Sequence, residues 1–223
     1  MPPPASPPGR PTPVYASRPT LAAGGFTFAE QPEAEAPDAR IIWRADIDPG
    51  TLSALAVPID AGHPDAVDAA ALAPWLTIAR DASGEHAVLS DGWRHIRIDI
   101  ARGSLAAGDP VMLHYDLYGV ASANAKILPL RRFLNLCRHR RFAVELYPRD
   151  RRVERWILAL RVHDALAAGA SHRDIAHVLF DADLETLTSR GSSDFVRSRV
   201  RRLVTEARRL AGGGYRALMN RRG

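Results

Sequence analysis

Six arginines recur at helical spacing near the C-terminal end of the chain, between Asp194 and Ala211. They fall on the polar arc of one predicted helix, opposite an apolar stripe. Guanidinium groups presented in this way clamp phosphates or read guanine edges in the major groove. The pattern predicts a DNA-binding helix and leaves open a solvated face of a small helical domain. The predicted apolar stripe is Val196, Val200, Leu203, Val204, Ala207 and Leu210.

Nine side chains are predicted to contact DNA. In a helix-turn-helix, early residues of the recognition helix reach base edges, while its later residues and flanks contact phosphates. The start of the preceding helix is placed for a backbone phosphate. The predicted base contacts are Ser193, Arg197, Ser198 and Arg201; the phosphate or flank contacts are Arg202 and Arg208, with Arg209 beside them as a further flank residue; the contacts at the preceding helix are His172 and Arg173; and Arg190 is included from the loop between them.

The segment GASHRDIAHVLF, residues 169–180, has to position that recognition helix. Gly169 is predicted to end a helix over residues 152–168, whose core side includes Leu160. Ser171 is predicted to cap the next helix, with Asp174 in the place of the Glu or Gln of a capping box. A loop of twelve residues, 181–192, follows, and a serine at 192 or 193 is predicted to cap the last helix. This loop decides whether the arginine face can reach a groove.

A further helix is predicted upstream, over residues 127–142. Leu130, Phe133, Leu134 and Cys137 fall at helical spacing, and Cys137 is interpreted as a buried thiol. The other face of this helix is rich in arginine. Its composition places it with the basic, helical part of the chain.

Residues 41–125 predict a small antiparallel β region. Candidate strands begin at Ile41, Thr51, Pro74 and Gly108, and Asp91-Gly92 between two β-prone runs is a hairpin signal. Ile96, Ile98 and Ile100 alternate with polar residues, which predicts one buried face. Trp93 is interpreted as a core anchor.

Charge is distributed unevenly along the chain. Residues 126–223 carry 22 basic and 10 acidic groups, whereas residues 41–125 carry 5 and 11. The basic part is therefore expected to face a polyanion, and the acidic part to serve as scaffold or partner surface.

The first twenty residues contain eight prolines, which predicts a disordered tail and linker over residues 1–40. A single cysteine, with no secretory signal and no membrane-spanning run, predicts a cytoplasmic protein.

The residue spacing indicates no catalytic or cofactor chemistry. GGG at residues 212–214 follows a helix rather than a strand, so it is interpreted as a helix terminator and not as a phosphate loop. His172 and His177 lack an obvious third metal ligand. The chain is therefore expected to be no enzyme, and to bind neither a cofactor nor a metal.

The order of LSDGWRHIRIDI, PVMLHYDLYG, LRRFLNLCRHRRF, RWILALRVHDALAAGASHRDIAHVLF and VRSRVRRLVTEARRLAGGGYRALM resembles the DUF2285 family of alphaproteobacterial proteins over residues 40–220. The resemblance implies a helix-turn-helix DNA-binding protein, and some members of the family regulate conjugative transfer of integrative elements. From Gly169 the chain is also similar, more loosely, to the DNA-reading region of sigma factors. A proline-rich tail stands where longer members carry a further N-terminal domain, which implies the stand-alone form.

These observations predict an α+β protein with a disordered tail (1–40), a small antiparallel β region (41–125) and a helical helix-turn-helix domain (126–223). The predicted function is sequence-specific binding of double-stranded DNA in transcriptional control, with mobile-element transfer genes as candidate targets. The alternative is a protein-interaction helix-turn-helix module, acting as an antiactivator or as one subunit of a split regulator. A protein partner or a homodimer is compatible with either, and no membrane partner is expected.

Overall fold

The computed structural model describes residues 14–16, 18–19, 25–27, 38–180 and 190–219. The chain divides into two compact units, one formed by residues 1–148 with 219–223, and the other by residues 149–218. The predicted α+β class is confirmed, because a β-sheet is followed by helices.

A six-stranded sheet organises the first unit. The strands are β1 (Val14–Ala16), β2 (Arg18–Pro19), β3 (Phe26–Thr27), β4 (Leu52–Pro58), β5 (Leu76–Asp81), β6 (Gly84–Ser90), β7 (His95–Arg102) and β8 (Val111–Tyr115). The strands of the large sheet lie in the order β1-β5-β6-β7-β4-β8, and β2 and β3 form a separate two-stranded sheet. A short helix, α1 (Ala69–Leu72), is capped by Asp68, whose carboxylate accepts the Ala71 N–H at 2.9 Å.

The sheet is mixed, and the prediction of a purely antiparallel region is wrong in this respect. β5, β6 and β7 form an antiparallel meander. However, β4 pairs with β7 in parallel, and β1 pairs with β5 in parallel. Parallel pairing needs a long connection, which residues 59–75 and the meander provide between β4 and β7. Nothing in the local sequence marks such a non-sequential pairing.

The predicted hairpin at Asp91-Gly92 is confirmed, with Ser90 opposite His95. Gly92 has φ 95°, and the Asp91 carboxylate accepts the Arg94 N–H at 2.7 Å. The alternating isoleucines of β7 are buried, as predicted. Trp93, in contrast, is 74 % exposed at the tip of this hairpin, so its interpretation as a core anchor is wrong. Trp93 lies in the loop between β6 and β7 rather than in either strand.

Residues 41–47 were a candidate strand in the sequence, but they form turns with one isolated bridge at Trp43. The Arg44 carbonyl accepts the N–H groups of Ile47 and Asp48, which holds the chain in a turn. Ile42 is nevertheless fully buried against Ala79 and Val88. Ile42 therefore covers the second face of the sheet, whereas Ile41 is 54 % exposed.

Helix α2 (Ala121–His139) belongs to the core of the sheet. It begins six residues before the predicted start at Ile127 and contains Pro129 in its interior. Phe133 and Leu136 are fully buried, whereas Leu134, predicted in the core, is 49 % exposed. Burial raises the pKa of the Cys137 thiol to about 12, as its interpretation as a buried thiol implies. The predicted domain boundary near residue 126 thus falls inside α2, and the chain divides after residue 148 instead.

Among its described residues, the second unit has three long helices: α3 (Val153–Ala167), α4 (His172–Phe180) and α5 (Arg190–Arg209). Gly169 ends α3 with φ 85°, as predicted. The Gly169 N–H donates to the Leu166 carbonyl, and the Ala170 N–H donates to the Ala165 carbonyl. These two hydrogen bonds form a Schellman motif. Leu160, predicted in the core, is 60 % exposed. The buried core is Ala159, Val162, Ile175, Ala176, Val200, Leu203, Val204 and Ala207.

α5 begins at Arg190, so the predicted cap at residue 192 or 193 is wrong. The helix continues one turn toward α4, and only residues 181–189 separate the two helices. The extra helical turn predicted within the loop lies outside the described residues.

At the C-terminal end of α5, residues Leu210–Gly214 form a wider turn in which Gly213 has φ 106°, and α6 (Arg216–Met219) follows. The predicted role of GGG as terminator is confirmed.

Candidate nucleic-acid interface

The start of α4 is held by the predicted capping box. The Asp174 N–H donates to Ser171 Oγ at 3.2 Å, and the Ser171 N–H donates to Asp174 Oδ2 at 2.8 Å. The hydrogen bonds from Ser171 lower the pKa of Asp174, so this carboxyl is ionised at neutral pH. His172 and Arg173 are exposed beside it. A phosphate approaching this end meets a carboxylate, and its contacts would have to come from these side chains rather than from the backbone N–H groups.

The apolar stripe of α5 fixes the helix on α3 and α4. Val200, Leu203, Val204 and Ala207 are buried, and Val196 and Leu210 pack around them, as the sequence predicted. Because one side of the helix is committed to this core, the opposite side faces outward. The exposed residues of that side include Arg197, Ser198, Arg201, Arg202 and Arg208.

Acidic groups neutralise a minority of the arginines on α5. Glu206 accepts two hydrogen bonds from Arg209, each 2.9 Å long, and these hydrogen bonds lower the pKa of Glu206. Arg197 Nη1 lies 3.8 Å from Asp194 Oδ1, and both side chains are exposed, so the pair is weak. The guanidinium group of Arg209 is therefore held by Glu206 within the helix, whereas Arg197 can leave Asp194 and bind a ligand instead.

Three predicted contacts, Arg201, Arg202 and Arg208, have no acidic partner among the described residues. Their guanidinium groups are exposed and keep five donors each for a ligand. Ser198 lies exposed among them, whereas the hydroxyl of Thr205 is bonded to the Arg201 carbonyl at 3.0 Å.

The structure brings Arg197, Ser198, Arg201, Arg202 and Arg208 together on one helix. His172 and Arg173 lie on α4, at the start of a separate helix. Arg190 and Ser193 belong to the first turn of α5, and the description of the structure covers their backbone only.

Arg199 and Phe195 are residues of this surface that the sequence did not single out. Arg199 lies over the Phe180 ring at 4.5 Å and thereby joins α5 to the end of α4. Phe195 is 62 % exposed, beside an apolar groove to which Leu158 and Leu203 contribute. Phe195 could have been noticed because it is a large apolar residue outside the predicted stripe.

A polar cluster lies in the sheet unit, where His86 bridges two strands. Its Nδ1 lies 2.9 Å from Asp99 Oδ1, and its Nε2 lies 3.1 Å from Asp81 Oδ1 and 3.2 Å from Ser83 Oγ. Burial lowers the pKa of His86, but the two carboxylates more than offset this effect, so the pKa is raised. With both ring nitrogens donating to carboxylates, the imidazole has no lone pair free to accept the Ser83 proton. The cluster therefore stabilises the sheet rather than forming a nucleophilic triad.

No metal-binding group of three His, Cys, Asp or Glu side chains occurs in the part of the chain that the structure describes. Within the same residues, every helix is too short or too polar to cross a lipid bilayer.

The comparison with known families concerns the basic half of the chain. Residues 120–220 match the family model RovC_DNA-bd, described as "T6SS, Transcription factor, DNA binding domain". Neither a curated protein nor a solved structure matches the chain. The match agrees with the DNA-binding part of the resemblance and covers α2 to α6, so the chain is similar to a DNA-binding domain of transcription factors over just under half of its length.

Proposed function

We propose that this chain is a sequence-specific DNA-binding transcriptional regulator in which α5 enters the major groove. The observation that carries the proposal is the outward face of α5, where Arg201, Arg202 and Arg208 are exposed without acidic partners among the described residues. A buried core holds the helix from behind. The family match over the same residues supports the proposal.

Within α5, we assign different roles to the two ends of the helix. In a helix-turn-helix the N-terminal turns of the recognition helix read the bases. Arg190 and Ser193 belong to the first turn of α5, and Arg197, Ser198 and Arg201 lie in the turns that follow. Arg202 and Arg208 lie farther along and are assigned to phosphates, which provide affinity without sequence information.

In this proposal α4 supports α5 and adds phosphate contacts. Ile175 and Ala176 are buried in the core of the unit, which is the supporting role. His172 and Arg173 would contact the backbone through their side chains, since the carboxylate of Asp174 occupies the helix start. We expect their contribution to be smaller than that of the arginines on α5.

The regulated genes are a finer part of the proposal. The family resemblance implies transfer genes of mobile elements, and the description of the matching family model names T6SS. Promoters of these two kinds are therefore the first to test. A cytoplasmic location follows from the proposed function.

The experiment is selection of duplex DNA from a random pool, followed by binding titrations of variants on the enriched sequence. Arg197→Ala and Arg201→Ala should each weaken specific binding by about 1–3 kcal/mol and relax the preference at one base pair. Arg208→Ala should weaken all sequences alike and reduce the salt slope by about 1. Arg161→Ala removes a charge from the exposed side of α3 and is the matched control. Unchanged affinity and preference in both base-contact variants would overturn the assignment of α5.

The second candidate, a protein-interaction module, is favoured by one observation. Phe195 is exposed beside an apolar groove between α3 and α5, which is a surface suited to a protein side chain. If selection enriches no sequence, and a purified candidate activator binds with an affinity that Phe195→Ala reduces, this second function replaces the first.

A further inference from the structure

Helix α2 carries a basic surface of its own. The stretch from Leu117 to Val144 contains no acidic residue, although it includes five arginines and one lysine. Three of these arginines, Arg131, Arg138 and Arg141, are exposed and have no acidic partner in the described part of the chain. We refer to these three as the α2 basic cluster.

The other cations of this stretch are committed to the fold. Arg132 donates to the Leu146 carbonyl at 2.9 Å and lies over the Tyr147 ring at 4.1 Å. Lys126 is buried and donates to Ser53 Oγ at 3.3 Å. Arg140 Nη2 lies 3.8 Å from Asp68 Oδ2. The neighbouring cations thus have partners within the protein, and the three arginines of the α2 basic cluster have no acidic partner among the described residues.

Buried anchors on both sides hold the cluster in place. Leu136 is fully buried one turn after Arg131 and just before Arg138, and Phe142 is buried directly after Arg141. Between them, Arg140 adopts φ 50° and donates its N–H to the Leu136 carbonyl, which closes the helix. The guanidinium groups therefore project from a rigid backbone, which lowers the entropy that is lost on binding a ligand.

Stabilisation of the helix end explains only part of this arrangement. Cations in the last turn of a helix interact favourably with its dipole, which accounts for Arg138 and His139. Arg131 lies two turns earlier, and Arg141 lies beyond the end of the helix. Arg131 and Arg138 are seven residues apart, so they share one face at a separation of about 10 Å along the axis.

We propose that the α2 basic cluster binds the phosphate backbone of duplex DNA, without reading its sequence. This inference rests on the proposed function, because it assigns a second contact to the same ligand. The family match begins at residue 120, one residue before α2, so the DNA-binding description includes a helix that packs on the sheet. Exposed arginines with free donors, and no acidic residue in the helix, complement a polyphosphate surface.

The test compares full-length variants on the selected sequence and on an unrelated duplex, each at several salt concentrations. Each lost phosphate contact lowers the slope of log affinity against log salt by about 0.9, so Arg138→Gln with Arg141→Gln should lower it by about 1.8 on both duplexes. The base preference should not change. Arg102→Gln, which removes an exposed charge from β7 in the same unit, should leave both slopes unchanged. Circular dichroism verifies that the variants are folded.

The outcomes separate this inference from the proposed function. If the unmodified chain selects a sequence and the double variant keeps its salt slope, the α2 basic cluster is not a DNA contact, and the role of α5 stands. If the double variant loses slope while the Arg197 and Arg201 variants bind normally, α2 binds DNA and the assignment of α5 fails. Binding of the unmodified chain to anionic phospholipid vesicles, with no binding to either duplex, would overturn both.

Discussion

Arg80, Arg94 and Arg97, in the sheet unit, differ from the arginines of α5 in what surrounds them. Arg97 is 1 % exposed, and its guanidinium donates to the carbonyls of Trp43, Ala87 and Ile98 and to Asp99. Arg80 pairs with Glu85, and Arg94 with Asp91. On α5, in contrast, the exposed Arg201, Arg202 and Arg208 have no acidic partner among the described residues.

This difference shows that residue type alone does not indicate a binding surface. An arginine has five N–H donors, and its role depends on whether the fold satisfies them. Around Arg80 and Arg97, carbonyls and carboxylates use these donors to cross-link the sheet. On α5 the core takes up the apolar side of the helix only, so the donors remain for a ligand. The following three predictions test this contrast.

The largest expected effect is that of Arg97→Ala. The change removes a buried cation and leaves its carbonyl and carboxylate partners without donors, which should cost about 3–5 kcal/mol of unfolding free energy. Arg201→Ala, the matched change on α5, should shift stability by no more than about 0.5 kcal/mol. Urea denaturation followed by circular dichroism measures both. Equal effects of the two substitutions would remove the distinction between structural and ligand-binding arginines.

A smaller effect is expected from Ser171→Ala at the start of α4. Loss of the hydroxyl that accepts the Asp174 N–H should destabilise the helical unit by about 1 kcal/mol. Hydrogen exchange of the α4 amides should then accelerate. Ser198→Ala removes a hydroxyl from an exposed position of α5 and is the control. If α4 exchanges at the same rate in both variants, the capping box does not hold this helix.

The smallest expected effect is a pH dependence centred on His86. Its pKa is raised above the ordinary value of 6.5, so its stabilising charge is fully present below pH 6.5 and is lost as the pH rises through the folded-state pKa. Asp81 and Asp99 face it from β5 and β7, and Arg97 lies beside Asp99. His86→Gln should flatten the decrease of the urea midpoint above pH 6.5.

The control for this pH profile is His114→Gln, at an exposed position of β8. This variant should keep the wild-type dependence of the midpoint on pH. A wild-type midpoint that does not decrease between pH 6.5 and 8.5 would show that His86 carries no stabilising charge. The sheet would then be held by its arginine–carboxylate pairs and its apolar core.

Local features were predicted well where a short segment contains its own physical cause. The Asp91-Gly92 hairpin, the glycine end of α3, the Ser171–Asp174 cap and the buried stripe of α5 each depend on neighbours within a few residues. The predictions failed where distant residues decide. Ile42 is buried against Ala79 and Val88 rather than by strand pairing, and Trp93 is exposed because it lies in the loop between β6 and β7.

The sequence by itself determined that the chain has a β part followed by a basic helical part, and that α5 presents arginines opposite an apolar stripe. These properties follow from periodicity and composition, which require no knowledge of contacts. Only the tertiary structure decided that β4 pairs in parallel with β7, that α2 packs on the sheet, and which arginines keep free donors. Such outcomes depend on partners far apart in the chain, since burial and hydrogen bonding are settled where segments meet.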